Sequence, residues 1–182
     1  MRVRMLVFVM VLILGKALAA QNFIEFQNYN YINPQVNVYM SGDFRSYKKF
    51  GWSAWGIVSH SWGEFYVGPT WHPNASSAFS VSFGTERAKH PWRVGMSQWM
   101  SSGKISFFAA EEKGGGGVWG RGTLTYTVSK VFETGLWAQA ARGLGPYAGV
   151  RIKNYEIYLA PLFRRHAHTI LVGVRYRFKW PI

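Results

Sequence analysis

The sequence predicts an all-β chain folded as an up-and-down antiparallel barrel of about twelve strands, with ten as the smaller count. Three observations predict it. From residue 22 onward, apolar and polar residues alternate with a period of two, the repeat of a half-buried strand. Turn residues interrupt that alternation at short intervals. The composition is rich in aromatics (18%) and glycine (20 residues), and the segment after residue 20 has no apolar run long enough for a transmembrane helix.

Residues 1–20 stand apart. Arg2 and Arg4 precede the apolar run Met5–Leu14, and Ala17-Leu18-Ala19-Ala20 supplies small residues for cleavage. This is the pattern of a signal peptide, and the run is too short to span a bilayer. Its removal takes Arg2, Arg4 and Lys16 with it and lowers the formal charge from +13 to +10. Residues 21–182 are then one exported, basic domain. The absence of cysteine excludes a disulfide scaffold, thiol catalysis and cysteine-ligated metal.

The strands follow in order. Asn22–Tyr31 is read as the first, although its apolar residues do not keep one parity. In 35–45, Val36, Val38, Met40 and Phe44 oppose Gln35, Asn37, Tyr39, Ser41, Asp43 and Arg45. In 50–58, Phe50, Trp52, Ala54 and Val58 share a face, with Trp55 and Ile57 against them. Phe65, Val67, Pro69 and Trp71 alternate with Glu64, Tyr66 and Thr70, and Phe79, Val81 and Phe83 with Ser80, Ser82 and Glu86. Trp92, Val94, Met96 and Met100 oppose Arg93, Ser97 and Trp99. The stretch KISFFAAEEK (104–113) is ambiguous. Leu124, Tyr126 and Val128 then oppose Arg121 and Thr123, and Leu136 and Ala138 oppose Gly135, Trp137 and Gln139. Ala148, Val150 and Ile152 oppose Tyr147, Arg151 and Lys153. Tyr155, Ile157, Leu159 and Phe163 oppose Glu156, Tyr158 and Arg164. In the last strand, Ile170, Val172, Val174, Tyr176, Phe178 and Trp180 oppose Arg175, Arg177 and Lys179. Glu133, the Gly143–Pro146 stretch and Gly114–Gly117 are read as turns; the last lacks the Lys-Ser/Thr of a phosphate loop.

Alternation does not say which face is dry. A soluble barrel buries its apolar face, whereas a membrane barrel turns it to lipid. The polar face here is mostly Gly, Ser, Thr, Asn and Gln, and only 16% of the chain is charged, which makes a poor soluble surface. Aromatics such as Phe50, Trp62, Trp71, Trp92, Tyr126 and Tyr155 cluster near strand ends, where interfacial girdles form. The aromatic, alternating stretch Thr169–Trp180 resembles the closing strand of bacterial outer-membrane β-barrels; it departs from them in ending on Pro181-Ile182. That resemblance to a porin-like class implies an outer-membrane location, a lipid bilayer around the barrel and recognition of the last strand by the barrel-assembly machinery.

With this sidedness the lumen is expected to carry Arg45, Arg93, Arg121, Arg151, Lys153, Arg164, Arg175, Arg177 and Lys179 against Asp43, Glu64, Glu86 and Glu156. The last three strands would form one basic wall, and such walls favour anions. Twelve-stranded basic channels for acidic oligosaccharides are similar in architecture and charge. The expected function is a passive channel favouring small anionic solutes. The alternatives are a non-conducting structural or assembly barrel with a salt-bridged lumen, and a lipid-modifying barrel enzyme.

No catalytic constellation stands out. Ser59 and Ser61 flank His60 in one strand, which sends His60 to the other face. His166 and His168 share a face near a hairpin, but a metal shell there would be incomplete. Asp43 as the single aspartate disfavours an aspartic protease. No cofactor is expected. Nucleic acid is disfavoured, because stacking binders need cations and aromatics on the same face.

Overall fold

The computed structural model describes residues 22–30, 32–44 and 47–178. The expected signal peptide, Arg45, Lys179, Trp180 and Ile182 lie outside the described residues. The strands are β1 (Asn22–Tyr29), β2 (Asn33–Phe44), β3 (Tyr47–Ser59), β4 (Gly63–Asn74), β5 (Ser77–Glu86) and β6 (Trp92–Ser102). They continue as β7 (Ile105–Gly114), β8 (Gly117–Thr127), β9 (Phe132–Gln139), β10 (Gly143–Ile152), β11 (Tyr155–Arg164) and β12 (Ala167–Phe178). Each strand pairs with its chain neighbours, and β12 closes antiparallel on β1, so all twelve form one barrel. Closure pairs every strand edge, as a span through hydrocarbon requires. Most strands have the length that crosses a bilayer at a tilt.

The sheet is apolar outside and polar inside. Val58, Val81, Phe83, Met96, Leu124, Leu136, Ile157, Leu159 and Ile170 are exposed, whereas Glu25, Gln27, Asn37, Thr70, Ser80, Glu112 and Glu156 are buried. The apolar exterior encircles the barrel, far more than the few hundred Å² that a soluble monomer leaves bare.

The segments with poor alternation have a common cause. In β1, Phe23 and Tyr29 point inward beside Glu25 and Gln27, while Ile24 and Phe26 face out. In β3, Trp55 and Ile57 are inward, and Trp55 packs on Phe23 and Tyr39. In β7, Phe108, Ala110 and Glu112 line the interior. Aromatic rings fill the lumen from these strands, so apolar residues occur on both faces.

The turns after β1, β3, β5, β7, β9 and β11 lie at one end, the far rim; both ends of the described chain and the remaining turns lie at the near rim. Glu133 and Gly143–Pro146, expected as turns, are strand instead. Glu133 belongs to β9, and Gly143–Pro146 begins β10, where it pairs with Leu136–Gln139.

Candidate functional site: the lumen

The lumen holds two ion-paired clusters at opposite ends. On the near-rim half, Glu25 is fully buried. It accepts from Arg175 Nη2 at 2.6 Å and Nε at 3.0 Å, from Tyr158 Oη at 2.8 Å, and from Asn37 Nδ2 at 3.0 Å. Glu156 takes Arg175 Nη1 at 3.2 Å and is also paired with Arg177. Glu133 takes Arg151 Nη2 at 2.6 Å and the Tyr147 hydroxyl at 2.6 Å. On the far-rim half, Arg93 alone serves three carboxylates. Its Nε is 3.1 Å from Glu64, its Nη2 is 2.7 Å from Glu112, and Nη1 contacts Glu86. Trp62 covers this cluster and donates Nε1–H to Glu64 at 2.9 Å.

Arg121 lies between the two clusters, at the centre of the barrel. It rises from β8, yet its Nη1 is 3.3 Å from Glu25 on β1. Its guanidinium lies 5.0 Å from the ring of Trp55 on β3, 4.9 Å from Trp137 on β9 and 5.4 Å from Phe108 on β7. β1 and β3 are each five steps from β8 around the ring, in opposite directions. One side chain therefore crosses the lumen and is held by the facing walls. Cation–π contacts gain strength in such a desolvated setting.

Aromatics close the space around it. Trp137 stacks on Tyr158 at 5.5 Å and on Tyr147 at 6.0 Å, and the Tyr29 hydroxyl donates to Gln27 at 2.9 Å. Gly173 makes room for Tyr158: a Cβ there would lie 2.2 Å from the ring. Tyr147, Tyr158 and Trp137 are at most 2% exposed although all three sit on the lumen face. A water-filled pore would leave them wet. A cavity of about 20 Å³ between Tyr39, Trp55, Tyr66 and Glu112 has room for about one water molecule.

The expected pore-lining residues divide. Arg93, Arg121, Arg175 and Arg177 are in the lumen, and Arg151 is there at partial exposure. Lys153 is not. Ile152 pairs with Tyr155, which leaves Lys153 in a two-residue turn at φ 55°, exposed at the near rim. Arg164 keeps the lumen parity but ends β11, where it is exposed at the far rim and donates to the Ala141 carbonyl at 3.4 Å. The basic wall expected on the last three strands is therefore a neutralised one.

Three carboxylates account for the difference: Glu25, Glu112 and Glu133, which the sequence reading did not place in the lumen. With Glu64, Glu86 and Glu156 they set six carboxylates against five guanidiniums among the described residues. Extending the Gly135, Trp137, Gln139 parity back one step reaches Glu133, and Glu25 shares parity with Gln27. Asp43 forms a separate pair, 3.4 Å from His72 near the near rim. Ser59 is occupied in the β3–β4 turn, where its Oγ accepts from Trp62 N–H at 3.1 Å.

No family model and no curated protein sequence matches the chain. Solved structures do. The KdgM porin aligns with TM-score 0.58 at 15% identity, over 87% of this chain and 99% of that one. The KdgM porin in complex with disordered oligogalacturonate aligns at 0.57 and 15%, over 87% and 99%. The NanC porin aligns at 0.52 and 10%, over 86% and 100%. At these identities the likeness is one of fold: a closed, porin-like barrel.

Proposed function

We propose that the chain is an outer-membrane barrel of the porin type whose lumen is held closed at its waist by Arg121, and that it passes small anionic solutes when that side chain is displaced. The observation that carries this reading is the Arg121–Glu25 contact across the lumen, with Trp55 and Trp137 on either side of the guanidinium. An encircling apolar exterior supports a bilayer setting. The charge distribution supports the anion preference. Arg87, Lys89, Arg142, Arg164 and Arg165 lie at the far rim and Lys49, Lys104, Lys130 and Lys153 at the near rim, whereas the lumen's own ion pairs leave one carboxylate in excess among the described residues. Cationic mouths raise the local concentration of anions. The KdgM porin's complex with oligogalacturonate, an acidic ligand, fits the same preference.

Liposome swelling tests it. Vesicles carrying the Arg121→Ala barrel should swell faster in a small sugar acid than in an amino sugar of equal size, and wild-type vesicles should swell slowly in both. Equal rates for the two solutes would remove the anion preference. A second reading, a non-conducting structural barrel, is favoured by the completeness of the Glu25–Arg175–Glu156–Arg177 network. It predicts no swelling from either protein.

A further inference from the structure

We propose that the far rim over β9–β12 binds the phosphate groups of anionic lipid headgroups. The proposal rests on the reading that the barrel spans a bilayer. Arg142, Arg164, Arg165, His166 and His168 fall on two adjacent hairpin ends. Arg164, Arg165, His166 and His168 are exposed, and Arg142 lies 4.2 Å over the Tyr29 ring.

The two hairpin ends are built against each other. Arg164 Nη1 donates to Ala141 O, and Gly143, at φ 113°, runs so close to β11 that a Cβ would meet Phe163 O at 2.2 Å. The sector is free of acid among the described residues. Glu133 and Glu156, the carboxylates of β9–β12, sit in the lumen at the opposite ends of their strands. Other cations at the rims are arranged differently. At the near rim, Lys104, Lys130 and Lys153 lie on three separate turns, and Asp43 is there as well.

Depth decides the class of partner. Directly below the cations, Leu144, Phe163 and Ile170 face outward and are exposed, and the Phe163 ring meets His168 edge-on at 5.5 Å. The apolar band runs up to the cations without a break. In a bilayer this sets His168 and the Arg165 turn level with the headgroups, where the phosphates lie, while Arg164, on the lumen parity, and Arg142, over the inward Tyr29, flank them from the barrel mouth. A guanidinium donates to two phosphate oxygens through a planar fork, and Arg165 with His168 of the same hairpin can share one headgroup.

The test is native mass spectrometry of the folded, detergent-solubilised full chain with equimolar phosphatidylglycerol and phosphatidylcholine. Wild type should retain phosphatidylglycerol preferentially. Arg164→Gln/Arg165→Gln should lower that ratio by about fivefold or more, the order expected per surface cation at a lipid interface. Arg87→Gln/Lys89→Gln, on another far-rim turn, should leave it unchanged. Arg165→Gln/His166→Gln, confined to a turn outside any strand, serves if the first variant does not fold. An unchanged ratio in the variants, or an equal loss in the Arg87/Lys89 control, overturns the proposal. Flotation with phosphatidylcholine vesicles, run alongside, reads membrane insertion by itself. A barrel that floats without headgroup preference contradicts this inference alone.

Discussion

Arg121 and Glu25 stand five strands apart around a ring of twelve, yet Nη1 of the first lies 3.3 Å from a carboxylate oxygen of the second. A long side chain from β8 has reached a wall almost opposite its own. The contact is possible because Trp55, Phe108 and Trp137 narrow the lumen around it. The same residues that fill the barrel thus give the crossing guanidinium its partners.

Glu25 is the hub of the near-rim cluster, and its removal should cost more than that of any single partner. Glu25→Gln leaves Arg175 with Glu156 only and Arg121 with no carboxylate. Breaking a buried pair costs about 3–5 kcal/mol. Urea unfolding of the barrel in vesicles, followed by tryptophan fluorescence, should shift to lower denaturant by that order. A shift within error of wild type would show that the network does not brace the wall.

Arg93 and its three carboxylates should respond asymmetrically. Arg93→Gln leaves Glu64, Glu86 and Glu112 facing one another without a cation among the charged groups that contact them. It should lower stability by about 3–5 kcal/mol. Glu64→Gln removes a surplus charge while Glu86 and Glu112 still hold the arginine, and it should be neutral or stabilising. Heat-modifiable mobility in detergent gels ranks the two. The reverse order would contradict the charge count.

Gly173 is required by Tyr158, not by a turn. A side chain there meets the ring at 2.2 Å. Gly173→Val should cost about 1–3 kcal/mol through overpacking. Pairing it with Tyr158→Ala should recover part of that loss, because the ring no longer occupies the space. A double-mutant cycle in urea reads the coupling, and additive losses would exclude it.

The outer face can be tested independently of the lumen. Val81 and Met96 are cross-strand partners on β5 and β6, with 51% and 64% of their surface exposed. Met96→Arg should destabilise the vesicle-inserted barrel by about 2–4 kcal/mol if that face meets hydrocarbon, as for a cation near the bilayer midplane. A change near zero would indicate a wetted face.

The fold was legible because most strands alternate cleanly. Val81 and Phe83 against Ser80 and Ser82 left no other reading, and the closed twelve-strand barrel agrees with it. The charge balance of the lumen was hidden where inward aromatics blurred the pattern. Phe23 and Tyr29 obscured Glu25, and Phe108 obscured Glu112, because an apolar residue on the inner face breaks the period that identifies that face. Glu133 was lost for another reason: it is the second residue of its strand, next to a turn. Lys153 and Arg164 show the converse error. Parity carries a residue to the lumen side of a strand but does not say where the strand stops.

The most direct test is single-channel recording in planar bilayers of the wild-type and Arg121→Ala barrels side by side. The wild type should give little or no conductance, because Arg121 bridges the lumen, and Arg121→Ala should open discrete events whose reversal potential in a salt gradient favours anions. A wild type that conducts freely, with Arg121→Ala unchanged from it, would contradict a lumen closed by this side chain.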